Sequence, residues 1–234
     1  MRQSFNYEDS EDVEVYFRKG DHADEEEYEA CQSHFRTVYH RLALSGQVLV
    51  IPRYSYLPFP EELDSDISHM SSKTINSLEQ HRYVADISRY YPDISDLTPK
   101  TYSSGWNLLP EGPYVVKGAT NSRKHEWNRR MFAKTKADIP RIVNSLLDDN
   151  LLASQGLYVR EYVPLKQFGE GINGLPITNE WRVFVLNGKI LVGGYYWASE
   201  PDCCPTEDPE DLPLDAAELV RIVAERIGDK ISFY

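Results

Sequence analysis

No apolar run among the 234 residues approaches the ~20 consecutive residues a membrane-spanning helix requires. The first residues, Met1-Arg2-Gln3-Ser4-Phe5-Asn6-Tyr7-Glu8-Asp9, have no apolar signal core. Both absences predict a cytoplasmic protein without membrane contact. Cysteine is scarce. Cys31 stands alone and Cys203 and Cys204 are vicinal in an acidic loop, which makes neither a disulfide framework nor a zinc pattern and predicts reduced thiols without a role. Positive charge is also short, with Lys and Arg at 25 against Asp and Glu at 37, a formal net charge of -12. A surface of that sign repels a polyanion, which excludes a general role on nucleic acid but allows a local basic pocket for a small phosphate compound. His22, His34, His40, His69, His81 and His125 are scattered without ligand spacing, and the order of the residues builds no Ser-His-Asp or Cys-His arrangement.

What is present, 41% hydrophobic residues and 12% aromatics, belongs to a folded chain of one large or two small domains. Residues 8–29 are acidic around one strand, Val13-Glu14-Val15-Tyr16-Phe17. Residues 21–27 load acids onto the first turn of a helix predicted to run to Leu44; they read as a solvated N-terminus, with metal binding the alternative. After Ser45-Gly46 a buried strand is expected over residues 47–52, then a long surface loop or crossover over residues 54–72. A helix over 77–90, ended at Tyr91-Pro92, and an extended link over 94–101 follow. A short apolar strand, Pro113-Tyr114-Val115-Val116-Lys117, leads into a small polar loop. Helices are predicted over 124–134 and 137–147, with Asp138 as cap, and a strand over 156–164. A loop with Gly169, Gly171 and Gly174 precedes a hairpin across Asn187-Gly188. An acidic loop over 200–213, a helix over 215–227 and the start of a strand at Ile231 complete the chain. This order predicts an α+β architecture, an antiparallel sheet with helices on one face.

Three stretches carry candidate chemistry. Lys117 ends its strand beside Gly118, and the amides of residues 120–122 could donate to phosphate oxygens; the alternative is a solvated lysine at a strand end. Alternation places Arg160 and Tyr162 on one face of the second strand, and Glu161 and Val163 on the other. Backbone groups freed ahead of Pro164 could pair with a flat heterocycle, or Arg160 could make a surface salt bridge. Glu180 and Arg182 share a face of the third strand and, with Lys189, are expected to form a charged patch. Tyr195-Tyr196-Trp197 reads as packing.

These blocks, in this order, make residues 113–197 resemble the ATP-grasp superfamily, specifically its small, divergent stand-alone members. The matching segments are Val115-Val116-Lys117-Gly118 with the loop to Ser122, the strand and hinge from Tyr158 to Leu165, and the hairpin strand from Glu180 to Lys189. The resemblance implies an ATP-grasp-like antiparallel sheet with helices over residues 109–234, preceded by a small α/β pre-ATP-grasp domain over residues 1–108. It also implies ATP and Mg²⁺ as cofactors and small-molecule or peptide carboxylate and amine substrates, joined through an acyl phosphate. Lys117, Arg160 and Arg182 would be catalytic. Lys117, Ser122, Lys124, Glu161, Tyr162, Val163, Lys166, Glu180 and Arg182 would bind nucleotide, with Lys117 on the α- and β-phosphates, the backbone of 161–163 on adenine and Lys166 or Glu161 on the ribose. The family's magnesium ligands, a late acid and a Glu-x-Asn pair, have no counterpart after any late strand here. The metal ligands are therefore unknown, and the domain is expected to be incomplete at its C-terminus. Glu200, Asp202, Glu207 and Asp208 are substitute carboxylates, or a solvated loop. The alternative to a ligase is a non-catalytic nucleotide-binding or protein-interaction module on the same fold.

Overall fold

The computed structural model describes residues 12–17, 25–53, 60–197 and 212–234. The chain divides into two compact units, Met1–Arg82 and Tyr83–Tyr234.

In the first unit, β1 (Val13–Tyr16), α1 (Glu25–Gln32), β2 (Arg36–Val38), β3 (Leu49–Pro52), α2 (Pro60–His69) and β4 (Lys73–Thr74) follow one another. The strands form one sheet in the order β2-β1-β3-β4, and every pairing is parallel. Parallel neighbours need crossover connections, which α1 and α2 supply. Proline opens α2 and Glu61 and Glu62 occupy its first turn, where the missing N–H costs nothing and the macrodipole favours acids. One turn apart, Leu63 and Ile67 pack with Tyr16, Val38, Leu44 and Val50.

Two sequence expectations are corrected here. The helix predicted to reach Leu44 stops at Gln32, because residues 36–38 pair with β1. Buried Glu14 anchors that edge through an ion pair to Arg36 and by accepting the Ser45 N–H at 2.9 Å, so its charge is compensated. Residues 54–72, expected to be a surface loop or crossover, are not a loop throughout: they contain α2, which opens at Pro60 and makes the crossover from β3 to β4.

Helix α3 (Leu78–Ala85) contains the division between the units. The helix predicted over 77–90 is interrupted at Asp86, whose extended backbone (φ -99°, ψ 116°) and side chain, accepting the Ser88 N–H, cap a new helix, α4 (Ile87–Ile94). Pro92 lies inside α4 rather than ending it.

The second unit continues with β5 (Thr101–Tyr102), β6 (Tyr114–Gly118), β7 (Phe132–Ala133), α5 (Ile139–Leu147), α6 (Asn150–Ala153) and β8 (Leu157–Glu161). The four strands form an antiparallel sheet in the order β5-β8-β6-β7. Ile139, Ile142, Val143 and Leu146 recur at helical spacing on α5 and pack with Leu152 on Tyr114, Val116, Ala133, Leu157 and Val159, one face of the sheet. The expected helix over 124–134 is instead a 3-10 turn (Lys124–Glu126), a π-turn (Trp127–Met131) and β7. The wider turn lets Trp127 and Phe132, five positions apart, stack at 5.6 Å between ring centres; α-helical geometry would point them apart.

A small pair, β9 (Gln167–Glu170) and β10 (Pro176–Thr178), precedes the hairpin of β11 (Trp181–Leu186) and β12 (Lys189–Tyr195). Asn187 and Gly188 both take positive φ, 49° and 76°, the backbone that a tight two-residue hairpin turn requires. The residues from Ser232 onward lie along β11, where Val185 and Tyr234 exchange both backbone hydrogen bonds. Helix α7 (Leu214–Ile227) reaches α4 and its C-terminal turn through the Arg226–Asp96 ion pair, and Lys230 just beyond it pairs with Asp93 at 2.6 Å. The expected α+β architecture, an antiparallel sheet with helices, is the architecture observed.

Candidate functional site

The strand register builds the site. Val115 faces Arg160 and Lys117 faces Tyr158 across β6 and β8, while Phe132 faces Val115 and Thr101 faces Arg160 on the outer strands. These side chains share the face opposite the α5 core, and alternation adds Tyr162 to it. Lys117 and Arg160 are thus diagonal neighbours on adjacent strands, within reach for long side chains.

Positive charge accumulates here without compensation. The Lys117 ammonium is pushed from 10.5 down to about 8, first by burial and then by the charges of Arg160 and Lys124. Among the described residues neither Lys117 nor Arg160 has a carboxylate at ion-pair distance. Arg160 donates instead to two neutral oxygens, from Nη2 to Thr98 Oγ1 at 2.6 Å and from Nε to Thr101 Oγ1 at 3.1 Å. Tyr90 of α4 is close enough for the guanidinium to offset part of the burial that pushes its phenol up.

Lys124 joins this group to a second one. Its Nζ lies 3.7 Å from Glu180 and 3.4 Å from Tyr196 Oη, and 4.6 Å from the Tyr196 ring centre. The Arg182 guanidinium carbon is 4.5 Å from the same ring centre, a cation–π distance. Lys117, Lys124, Arg160, Glu180 and Arg182 are therefore brought into one neighbourhood. Lys189 is not: it pairs with Leu186 beside the hairpin turn, whereas Arg182 pairs with Gly194 towards the other end.

The loop after Lys117 is closed by protein groups. Gly118 N–H donates to Asn121 O at 3.0 Å and Ala119 N–H to Gly156 O at 2.8 Å, and Thr120 N–H donates to Gln155 Oε1 at 3.0 Å. The Thr120 amide, expected to face phosphate, is thus engaged; Ser122 is half-buried in the same loop. A Cβ at Gly118 would stand 2.7 Å from Gln155 Oε1 and 2.8 Å from Leu152 Cδ2, so those side chains would have to shift. Leu152 is fully buried, so Gly118→Ala is expected to lower unfolding free energy in urea by about 1–3 kcal/mol. An unchanged midpoint would show that the loop yields.

At the end of β8, Glu161 accepts the Tyr102 Oη hydrogen at 2.8 Å, which with burial pushes that phenol up to about 12. The N–H groups of Glu161 and Tyr162 donate to Lys100 O and Pro113 O. Among the described residues Val163, which is exposed, has no backbone partner for its N–H. Tyr162 packs edge-on to Phe132 at 5.1 Å and lies 6.4 Å from Trp127, so an aromatic wall adjoins the cations. Lys166 is apart from them, exposed over the Phe168 ring at 5.0 Å.

Sequence reasoning missed Tyr90, Thr98, Thr101, Trp127, Phe132 and the bridging role of Tyr196. Only the aromatic spacing of Trp127 and Phe132 carried a local signal. Glu200, Asp202, Glu207 and Asp208 lie outside the described residues, as do Cys203 and Cys204. Among the described residues no group of three or more His, Cys, Asp or Glu is gathered to hold a metal ion. The site's cations and aromatics do suit a nucleotide: uncompensated ammonium and guanidinium groups for phosphates, a flat apolar wall for a base. A separate cleft of about 460 Å³, lined by residues including Trp106, Lys136, Ile139 and Pro140, is on the core side, where Trp106 and Ile139 pack. No helix among the described residues is long and apolar enough to cross a membrane.

No curated protein matches the chain. Solved structures do. The RimK domain protein ATP-grasp from Sphaerobacter thermophilus superimposes with a TM-score of 0.57 and 12% identity, over 94% of this chain and 83% of that one. D-alanine–D-alanine ligase from Bacillus anthracis, complexed with ATP, gives 0.54 and 10% over 94% and 79%. ATP-grasp ligase PsnB, complexed with a phosphomimetic variant of its minimal precursor, Mg and ADP, gives 0.51 and 11% over 95% and 83%. At such identities the likeness is one of fold. Residues 103–234, more than half of the chain, match the family described as ATP-grasp domain, R2K clade family 3, and the chain belongs to that family.

Proposed function

We propose that the protein is an ATP-dependent ligase joining a small-molecule or peptide carboxylate to an amine, or to a related nucleophile, through an acyl phosphate. One observation carries this reading: a single sheet face sets an aromatic wall, Phe132 and Tyr162 with Trp127 beside them, against two cations that have no carboxylate at ion-pair distance among the described residues, Lys117 and Arg160. Family membership supports ATP as the ligand, and the solved relatives named as ligases support the reaction class.

Under this reading the adenine lies against the aromatic wall, with the free N–H of Val163 at its edge. Lys117 and Lys124 hold phosphates. Arg160 and Arg182 stabilise the charge that moves to the transferring group. A carboxylate oxygen attacks the γ-phosphorus while the bond to the ADP oxygen breaks. The amine nitrogen then attacks the acyl carbon, phosphate departs and the nitrogen loses a proton. Residues 109–234 make up the nucleotide-binding domain in this proposal, with Thr98 and Thr101 contributed from ahead of it.

ADP release, followed while ATP with Mg²⁺ is mixed with panels of carboxylic acids and amines, tests the reading. Continuing ADP release, beyond one turnover, is expected only where an acid and a nucleophile are present together. ATP binding by calorimetry with no ADP formed under any pairing would replace the ligase by a non-catalytic nucleotide-binding module.

A further inference from the structure

The Arg160 guanidinium is oriented by two threonine hydroxyls. An arginine of this kind is commonly steered by a carboxylate, which orients it but also neutralises it. Here both partners are neutral. Thr98 Oγ1 accepts from Nη2 at 2.6 Å and Thr101 Oγ1 accepts from Nε at 3.1 Å. The Thr101 hydroxyl is itself aimed: it donates its own hydrogen to Pro99 O at 2.9 Å, so an oxygen lone pair is what remains for the guanidinium. The Thr101 backbone is pinned as well, by β-pairing opposite Arg160 and by its N–H donating to Tyr91 Oη at 3.0 Å. Thr98 makes no other side-chain hydrogen bond among the described residues. One edge of the guanidinium is thereby fixed, and among the described residues its remaining N–H donors and its charge have no partner beside Lys117.

We propose that Thr98 and Thr101 are positioning residues for Arg160, neutral acceptors that hold its guanidinium towards the polyphosphate of a bound nucleoside triphosphate without cancelling its charge. This rests on the nucleotide reading above and deepens it. A carboxylate in place of either hydroxyl would hold the arginine equally well but compete with phosphate for it.

The test compares ATP with AMP, which lacks the phosphates Arg160 would meet, by calorimetry on the full chain. Thr98→Val and Thr98→Val/Thr101→Val are expected to weaken ATP binding about 5- to 30-fold while AMP binding changes less than about twofold. Thr98→Ser should restore the wild-type ratio of the two affinities. In an Arg160→Met background the valine substitutions should have no further effect, because the group they act through is gone. Thermal melting accompanies each variant, and if the double variant does not fold, the single Thr98→Val decides by the same ratio. Wild-type binding of ATP with an unchanged ATP-to-AMP ratio in folded Thr98→Val overturns the inference and leaves the nucleotide reading standing. A wild-type chain that binds neither nucleotide overturns both.

Discussion

Replacing Lys117 by methionine is expected to make the ligand-free protein more stable while weakening ATP binding about 30- to 100-fold. Lys117 is held in a half-buried position on β6 with Arg160 and Lys124 as its charged neighbours, and its ammonium is pushed down to about 8 from 10.5. Folding therefore works against the charged form, by roughly 3 kcal/mol at neutral pH. Methionine keeps the unbranched stem and removes the charge. Part of the cost is recovered in the variant, and the melting temperature should rise by roughly 3–6 °C.

The sign can be checked against pH. The folded value lies below the unfolded one, so the unfolded chain binds more protons between about 8 and 10.5, and wild-type stability climbs through that window. The gap between variant and wild type should be widest below pH 8 and close towards pH 10.5. A solvated lysine at a strand end would produce none of this. If Lys117→Met melts no higher at pH 7 and binds ATP as before, the site is not on this face. Retaining a destabilising cation is what a binding site does when the ligand supplies the missing counter-charge.

Local signals marked the strands and helices that frame the site. A short apolar run ending at Lys117 gave away β6, alternation around Arg160 gave the faces of β8, Asn187-Gly188 announced the hairpin, and the stretch from Ala137 to Leu147 announced α5. Where tertiary pairing decides, the reading failed. Residues 36–38 look helical by spacing, but become β2 because β1 offers them a parallel edge and Glu14 a partner for Arg36. The π-turn at Trp127 answers to ring stacking, which no helical periodicity encodes.

The same division holds for the site. Alternation identified the face of Arg160, yet Thr101 lies 59 residues from it in sequence and could be found only through the β5–β8 register. Glu161, also marked by alternation, turns to Tyr102 across that same pair of strands. Lys189 was grouped with Arg182 by face, but periodicity says nothing about distance along a strand, and the hairpin separates them. A net charge of -12 left room for a local basic pocket, but which cations meet in it depends on four separate segments coming together in the fold.

ATP binding is expected to draw a proton from solvent at pH 8. Free Lys117, held at about 8, is about half-charged there, and a phosphate placed against it favours the charged form. Calorimetry in buffers of different ionisation enthalpy should report uptake of about half a proton per ATP bound at pH 8, shrinking towards zero at pH 6.5. The affinity should follow the protonated fraction and fall about tenfold from pH 7 to pH 9. The nucleotide's own last ionisation is complete across most of this range, and so cannot supply a loss in that direction. Lys117 is the cation of this face that burial and its charged neighbours push down into this range, which assigns the linkage to it. In Lys117→Met the residual binding should be flat over the same interval and free of buffer dependence. Equal slopes in the two proteins would locate the titrating group elsewhere. A flat wild-type profile would mean that no phosphate approaches Lys117 in the complex, because an ammonium already strained by two neighbouring cations cannot meet a polyanion without taking up its proton.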